Sequence, residues 1–199
     1  MRLYWPAELR PAFDALMAID AALGEVVAGS SQPALGAIRL AWWRDALERL
    51  DHAPAPAEPR LSAVARDLLP LGVTGADLAA LEAGWATLLD VAPEQAPIEE
   101  RGARLFAIAA RWLRVADAKL GAAGSLFALG QVQRMRLFEG NPAALQIALA
   151  SHRFARGLRP LTALVRLAAR DLAATTLEPE ATPGRAAALL RHRLSGRVA

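Results

Sequence analysis

Apolar residues recur every three or four positions along this chain, in stretches that open near a proline and stop near a glycine or a further proline. Leu9, Phe13, Leu16, Ile19 (or Asp20) and Leu23 set the pattern between Pro6 and the Gly29-Ser30-Ser31 stop. That period belongs to an amphipathic helix, and no stretch alternates apolar and polar residues as a half-buried strand would. Aromatic residues make up 6% of the sequence while hydrophobic residues make up 54%, so the core must be built mainly from Ala, Leu and Val. Such a core favours close helix packing over sheets. The expected class is all-α, in one domain over residues 1–199.

The same signals divide the chain. Helices are predicted over Pro6–Ala28 and from Pro33 to about Leu50, with Pro33 in a first turn that tolerates it. His52–Pro59, HAPAPAEP, reads as a connector. Pro59–Leu69 is a short helix stopped by Pro70 and Gly72. Thr74–Leu89 is a helix with Thr74 as cap and Asp77 three residues on. Val91–Pro97 reads as a loop. Helices follow over Ile98–Arg114, Ala118–Glu139, Asn141–Ser151, Leu158–Leu172 and Gly184–Leu194.

Several chemistries lose their ground here. The chain has no cysteine, so disulfides and thiolate metal sites are excluded. His52, His152 and His192 lack metal-ligand spacing and fall in or near polar segments. Ser30-Ser31 lacks a nucleophile-elbow context, and Gly121–Gly124 lacks the Lys and Ser/Thr of a phosphate loop. Glu94, Glu99 and Glu100 read as solvated charges near a helix start. Arg, Asp or Glu interrupts every apolar run before the roughly 20 residues a membrane span needs. The N-terminus has no apolar signal core, which places the expected chain in the cytoplasm.

The net charge is only +3, although the pI is near 10.4, because all but Lys119 of the 23 basic residues are arginine. Positive charge gathers late. Residues 150–199 carry nine Arg against Asp171, Glu178 and Glu180. A segment of that sign faces water, phosphates, an anionic leaflet or an acidic partner; a solvated surface is favoured over nucleic acid.

The segment AIRLAWWRDAL, Ala37–Leu47, stands apart. Helical geometry puts Leu35, Ile38, Trp42 and Ala46 on one face and turns Arg39 and Trp43 about 100° away from it. Trp42 is therefore expected in the core and Trp43 at its edge, within stacking reach of Arg39. Arg44–Glu48 and Asp45–Arg49 have ion-pair spacing. Arg39, Trp43 and Arg44 could border a pocket for an anionic, greasy ligand.

With YWPAELRPAFDALMAIDAAL (Tyr4–Leu23), the segment around Arg101-Gly102 and Leu105–Ala110, AAGSLFALGQVQR (Ala122–Arg134), GLRPLTALVRLAARDL (Gly157–Leu172) and RHRLSGR (Arg191–Arg197), this helix resembles the squalene/phytoene synthase family. The resemblance implies a shortened helical bundle of the isoprenoid synthase type around a central cavity, with Arg134 at a family arginine and beside Arg39, Trp43 and Arg44 among the expected residues of the ligand pocket. It also implies Mg²⁺-dependent prenyl transfer, which needs two aspartate-rich motifs because Mg²⁺ takes hard oxygen ligands and must neutralise two diphosphates. The first motif falls within Asp20–Val27, where Asp20 and Glu25 lie about 140° apart on a helix. At the second, Met135 stands for the first aspartate and Glu139 remains. A thioether is too soft for Mg²⁺. The expectation is a non-catalytic relative with no cofactor, Mg²⁺ being needed only if activity survives. It resembles the aspartate-poor branch that assembles a respiratory complex, so a prenyl or lipid ligand, a respiratory-complex protein and peripheral contact with the inner membrane are the expected partners. The alternatives are an active head-to-head prenyltransferase with an altered clamp built on Asp20, Glu25 and Glu139, and a basic helical interaction module.

Overall fold

The computed structural model describes residues 4–198; Met1–Leu3, which open the N-terminal segment read for a signal, and Ala199 lie outside them. The described residues form helices and connecting turns, without strands. Internal contacts gather into two compact units, one ending at Arg101 and one beginning at Gly102.

The first unit opens with α1, Arg10–Ala28, preceded by a short 3₁₀ turn at Ala7–Leu9. Pro11 sits in the first turn of α1, where its missing N–H costs nothing. Phe13, Leu16, Ile19, Leu23 and Val27 line the buried side of α1, as their spacing predicts, and Asp20 is buried with them.

Helix α2, Pro33–Arg49, starts and stops within a residue of expectation, but its core face is turned. Trp43 is 7% exposed and Trp42 is 51% exposed, the reverse of the sequence reading. Leu35 and Ile38 are exposed as well, and of the expected face only Ala46 is buried. The buried face is Gly36, Leu40, Trp43, Leu47 and Leu50, a run spaced four, three, four and three. A one-residue shift rotates a helix face by about 100°, and the leucines at 40, 47 and 50 outweigh Leu35 and Ile38.

After α3, Pro59–Asp67, capped by the Glu58 carboxylate on the Leu61 N–H, Gly72 closes a 3₁₀ turn in the left-handed region. The Thr74 cap forms as expected: its hydroxyl accepts from the Asp77 N–H, and the Asp77 carboxylate accepts from the Thr74 N–H. The helix behind it is shorter than predicted. It breaks into α4, Gly75–Ala79, α5, Ala83–Ala86, and a 3₁₀ turn at Thr87–Leu89. Tertiary ties at both ends override its propensity. Asp51 accepts from the Gly75 and Ala76 N–H groups at 2.5 and 3.1 Å, and Trp85 is fixed to Asp20.

Helix α6, Gln95–Leu113, begins three residues before the expected Ile98, because Pro97 fits its first turn. The second unit holds its later part together with α7, Leu120–Arg134, α8, Ala143–Leu149, α9, Arg159–Leu172, and α10, Pro183–Ser195. Helix α7 is the centre, with every residue from Ala123 to Gly130 buried. Its crossing with α6 passes at Gly102 and Gly124: a Cβ on Gly102 would stand 2.1 Å from the Gly124 carbonyl oxygen. Gly124 thus serves close helix packing: a Cβ there would stand 2.2 Å from the Gly102 carbonyl oxygen.

Helix α7 ends five residues before the predicted Glu139. Arg136 adopts φ +58°, the Arg136 N–H reaches the Gln133 carbonyl, and the Leu137 N–H reaches the Val132 carbonyl. This is a Schellman closure with arginine in the position usually held by glycine.

Candidate functional site

Asp20 is the residue whose placement decides most. Its carboxylate is fully buried and accepts from the Trp85 indole N–H at 3.0 Å and from Arg101 Nη1 at 2.5 Å. The Arg101 guanidinium carbon also lies 4.0 Å from the centre of the Trp85 ring. Carboxylate, guanidinium and indole thus form a closed triangle, combining an ion pair with a cation–π contact. Gly24, one turn after Asp20, makes room for the indole: a Cβ there would stand 2.7 Å from the Trp85 Cη2. Sequence reasoning placed Asp20 among the candidate acids but assigned Arg101 and Trp85 no role. The signal lay in Arg101 itself, a charge inside an otherwise apolar helical pattern.

Glu25 and Glu139 are placed elsewhere. Glu25 is exposed and pairs with Arg60 at 2.7 Å, on the opposite side of α1 from the buried Asp20. Glu139 is exposed and lies beyond the end of α7, in the turn that follows Arg136. Among the described residues, no group of three His, Cys, Asp or Glu side chains is arranged to hold a metal ion.

The candidate pocket residues divide. Arg39 and Arg44 are exposed on α2, and Arg44 pairs with its neighbour Asp45 at 3.4 Å rather than with Glu48. Trp43 is in the core of the first unit, where its ring meets Trp42 edge-on at 5.3 Å; the expected Arg39 stacking is replaced by this contact. Arg134, in the second unit, reaches Asp171 at 3.3 Å, the Glu178 carbonyl at 3.1 Å and Glu180 at 3.5 Å. The other oxygen of Asp171 accepts from Arg185 of α10, so one buried carboxylate ties α7, α9 and α10 together. A cleft of about 700 Å³ opens beside this cluster, lined by the apolar Phe127, Leu164, Leu167 and Leu189 and by the charged Arg134, Asp171, Glu180 and Arg185.

A loop carboxylate completes the network. Glu178 accepts from Arg170 at 2.8 Å and from the Thr182 hydroxyl at 2.5 Å, and these hydrogen bonds hold its carboxyl below the ordinary range. Thr182 in turn caps α10 by accepting from the Arg185 N–H.

His192 corrects the sequence reading, which put it in or near a polar segment. It is buried on the inner face of α10. Nδ1 donates to the Arg197 carbonyl at 2.9 Å, and Nε2 lies 3.1 Å from the Thr162 hydroxyl. Burial pushes its pKa below the ordinary imidazole value, against the opposing pull of its backbone hydrogen bonds. A neutral ring follows, with Nε2 as the acceptor. His152 pairs with Asp117 at 2.9 Å, and His52 is exposed.

Comparison with known proteins returns no match: no family model, no curated protein and no solved structure matches this chain. No helix among the described residues is long and apolar enough to cross a membrane.

Proposed function

We propose that this chain is a non-catalytic relative of the squalene/phytoene synthases, acting as an assembly or lipid-binding factor. The observation that carries this reading is the engagement of Asp20. A Mg²⁺ ligand must present free lone pairs to the ion and its water. Asp20 instead has its Oδ1 held by both Arg101 and Trp85, in a side chain with no exposed surface. Withdrawing it would break a buried ion pair, a cost of about 3–5 kcal/mol. Glu25, engaged by Arg60 on the outer side, is in no position to replace it.

The ligand proposed is a prenyl or lipid anion. The second-unit cleft supports it through leucine and phenylalanine walls beside Arg134 and Arg185, whose ion pairs with Asp171 an anionic ligand would have to share. Mg²⁺ has no part in that binding, which uses cationic side chains alone. The proposed setting is the cytoplasm at the inner membrane, with a respiratory-complex protein as the partner. The test is incubation with farnesyl or geranylgeranyl diphosphate and Mg²⁺. The reading expects diphosphate release at the rate of the protein-free control. Mg²⁺-dependent turnover above that rate would restore the prenyltransferase alternative.

A further inference from the structure

The exposed face of α10 has a composition that the packing of the second unit does not require. Arg185, Ala188 and His192 form its buried side, and Ala186, Ala187, Leu190 and Leu194 face outward. Leu190 is 58% exposed and Leu194 is 70% exposed. On a helix they fall one above the other, with Arg191 about 80° to one side of their mean direction and Arg193 about 80° to the other. Both arginines are exposed, and residues 183–195 contain no acid.

Positive charge continues past the helix end. Gly196 lies close to Arg153 and Arg159, and Arg159 donates to the Arg193 carbonyl. Burial first, and then the neighbouring charges of Arg156 and Arg153, depress the Arg159 pKa, which places three guanidinium groups in one field. The three acids of residues 150–199 pair with other arginines. Asp171 is bound by Arg134 and Arg185, Glu178 by Arg170, and Glu180 faces Arg134.

We propose that the outer face of α10, Leu190 and Leu194 between Arg191 and Arg193, docks on an anionic phospholipid bilayer. An aliphatic strip with arginine on both margins matches the boundary between acyl chains and phosphates: the leucines enter the interface while the guanidinium groups stay at headgroup level. A single-stranded nucleic acid would use exposed aromatic platforms between the cations, and the strip carries leucine there. The proposal rests on the membrane-peripheral part of the reading above and is independent of whether catalysis has been lost.

The test is co-sedimentation of the full chain with vesicles of phosphatidylcholine alone and with about 30% phosphatidylglycerol added, a composition that supplies an anionic surface potential. Binding is expected to the anionic vesicles and to be at least about tenfold weaker on the neutral ones. It should fall about tenfold in Leu190→Ser/Leu194→Ser and by a similar factor in Arg191→Gln/Arg193→Gln. Circular dichroism and melting curves check that each variant folds; if the second pair does not, Arg153→Gln/Arg156→Gln takes its place. No binding to anionic vesicles, or wild-type binding by the leucine variant, would overturn the proposal. Loss in the arginine variant alone would mark a polyanion site instead and also overturn it. Turnover of a prenyl diphosphate is read in a separate assay, so either claim can fail while the other stands.

Discussion

Asp20 and Arg101 lie 81 positions apart and form a fully buried ion pair at 2.5 Å, with the ring of Trp85 closing the third side. Each charge is tolerated in the core because the other is there, and removing one leaves the other without its principal counter-charge. Asp20→Asn keeps the acceptor for the Trp85 indole but discards the charge. It should destabilise the chain by about 3–5 kcal/mol, as should Arg101→Met, and the double variant should lose less than the sum. Urea unfolding of the four proteins measures the coupling. Strict additivity would mean that the pair does not act as a unit.

The Gly102–Gly124 crossing should be equally intolerant. A methyl on Gly102 would meet backbone rather than a side chain that could swing away. Gly102→Ala must push α6 and α7 apart, at an expected cost of about 1–3 kcal/mol against the small gain in helix propensity. Gly121→Ala, where the nearest neighbour to an added Cβ is 3.9 Å away, is the matched control and should be neutral or mildly stabilising. Equal melting temperatures for the two variants would show that the crossing does not depend on glycine.

His192 gives the second unit a pH dependence whose sign follows from its burial. The folded chain holds the imidazole below its ordinary value of about 6.5, so the unfolded chain binds the proton more readily. Above that value both states are neutral and the group contributes nothing to the slope. As pH falls from about 6.5 toward the lower folded value, the unfolded state gains protons first and stability drops. His192→Asn should lower stability at pH 7 through its lost contacts, yet flatten the decline between pH 7 and pH 5. A variant with the wild-type slope would assign the decline to other groups.

These residues also mark where the sequence is readable. Helix positions followed from spacing and punctuation, and the Thr74–Asp77 box was visible because both partners are local. The α2 face was misread because Trp42 and Trp43 are adjacent and either satisfies the period; Leu40, Leu47 and Leu50 decide the matter by packing together. The early end of α7 was hidden because Arg136, an ordinary helix former, adopts the left-handed region that usually announces itself with glycine. Asp20 could be singled out as an acid, but its partners lie 65 and 81 residues away, beyond the reach of local pattern. The same holds for Asp171, where Arg134 was named by resemblance while Arg185 was not named at all.

The central claim is that Asp20 serves the fold and not a metal ion. The most direct measurement is the melting temperature of the chain with and without Mg²⁺ and a non-reactive farnesyl diphosphate analogue, since a ligand that binds only the folded state raises stability in proportion to its occupancy. The account expects no increase that requires Mg²⁺, whether or not the analogue alone stabilises the chain through its anionic and apolar parts. A saturable, Mg²⁺-dependent rise of several degrees would contradict it, because it would require carboxylates free to hold the ion.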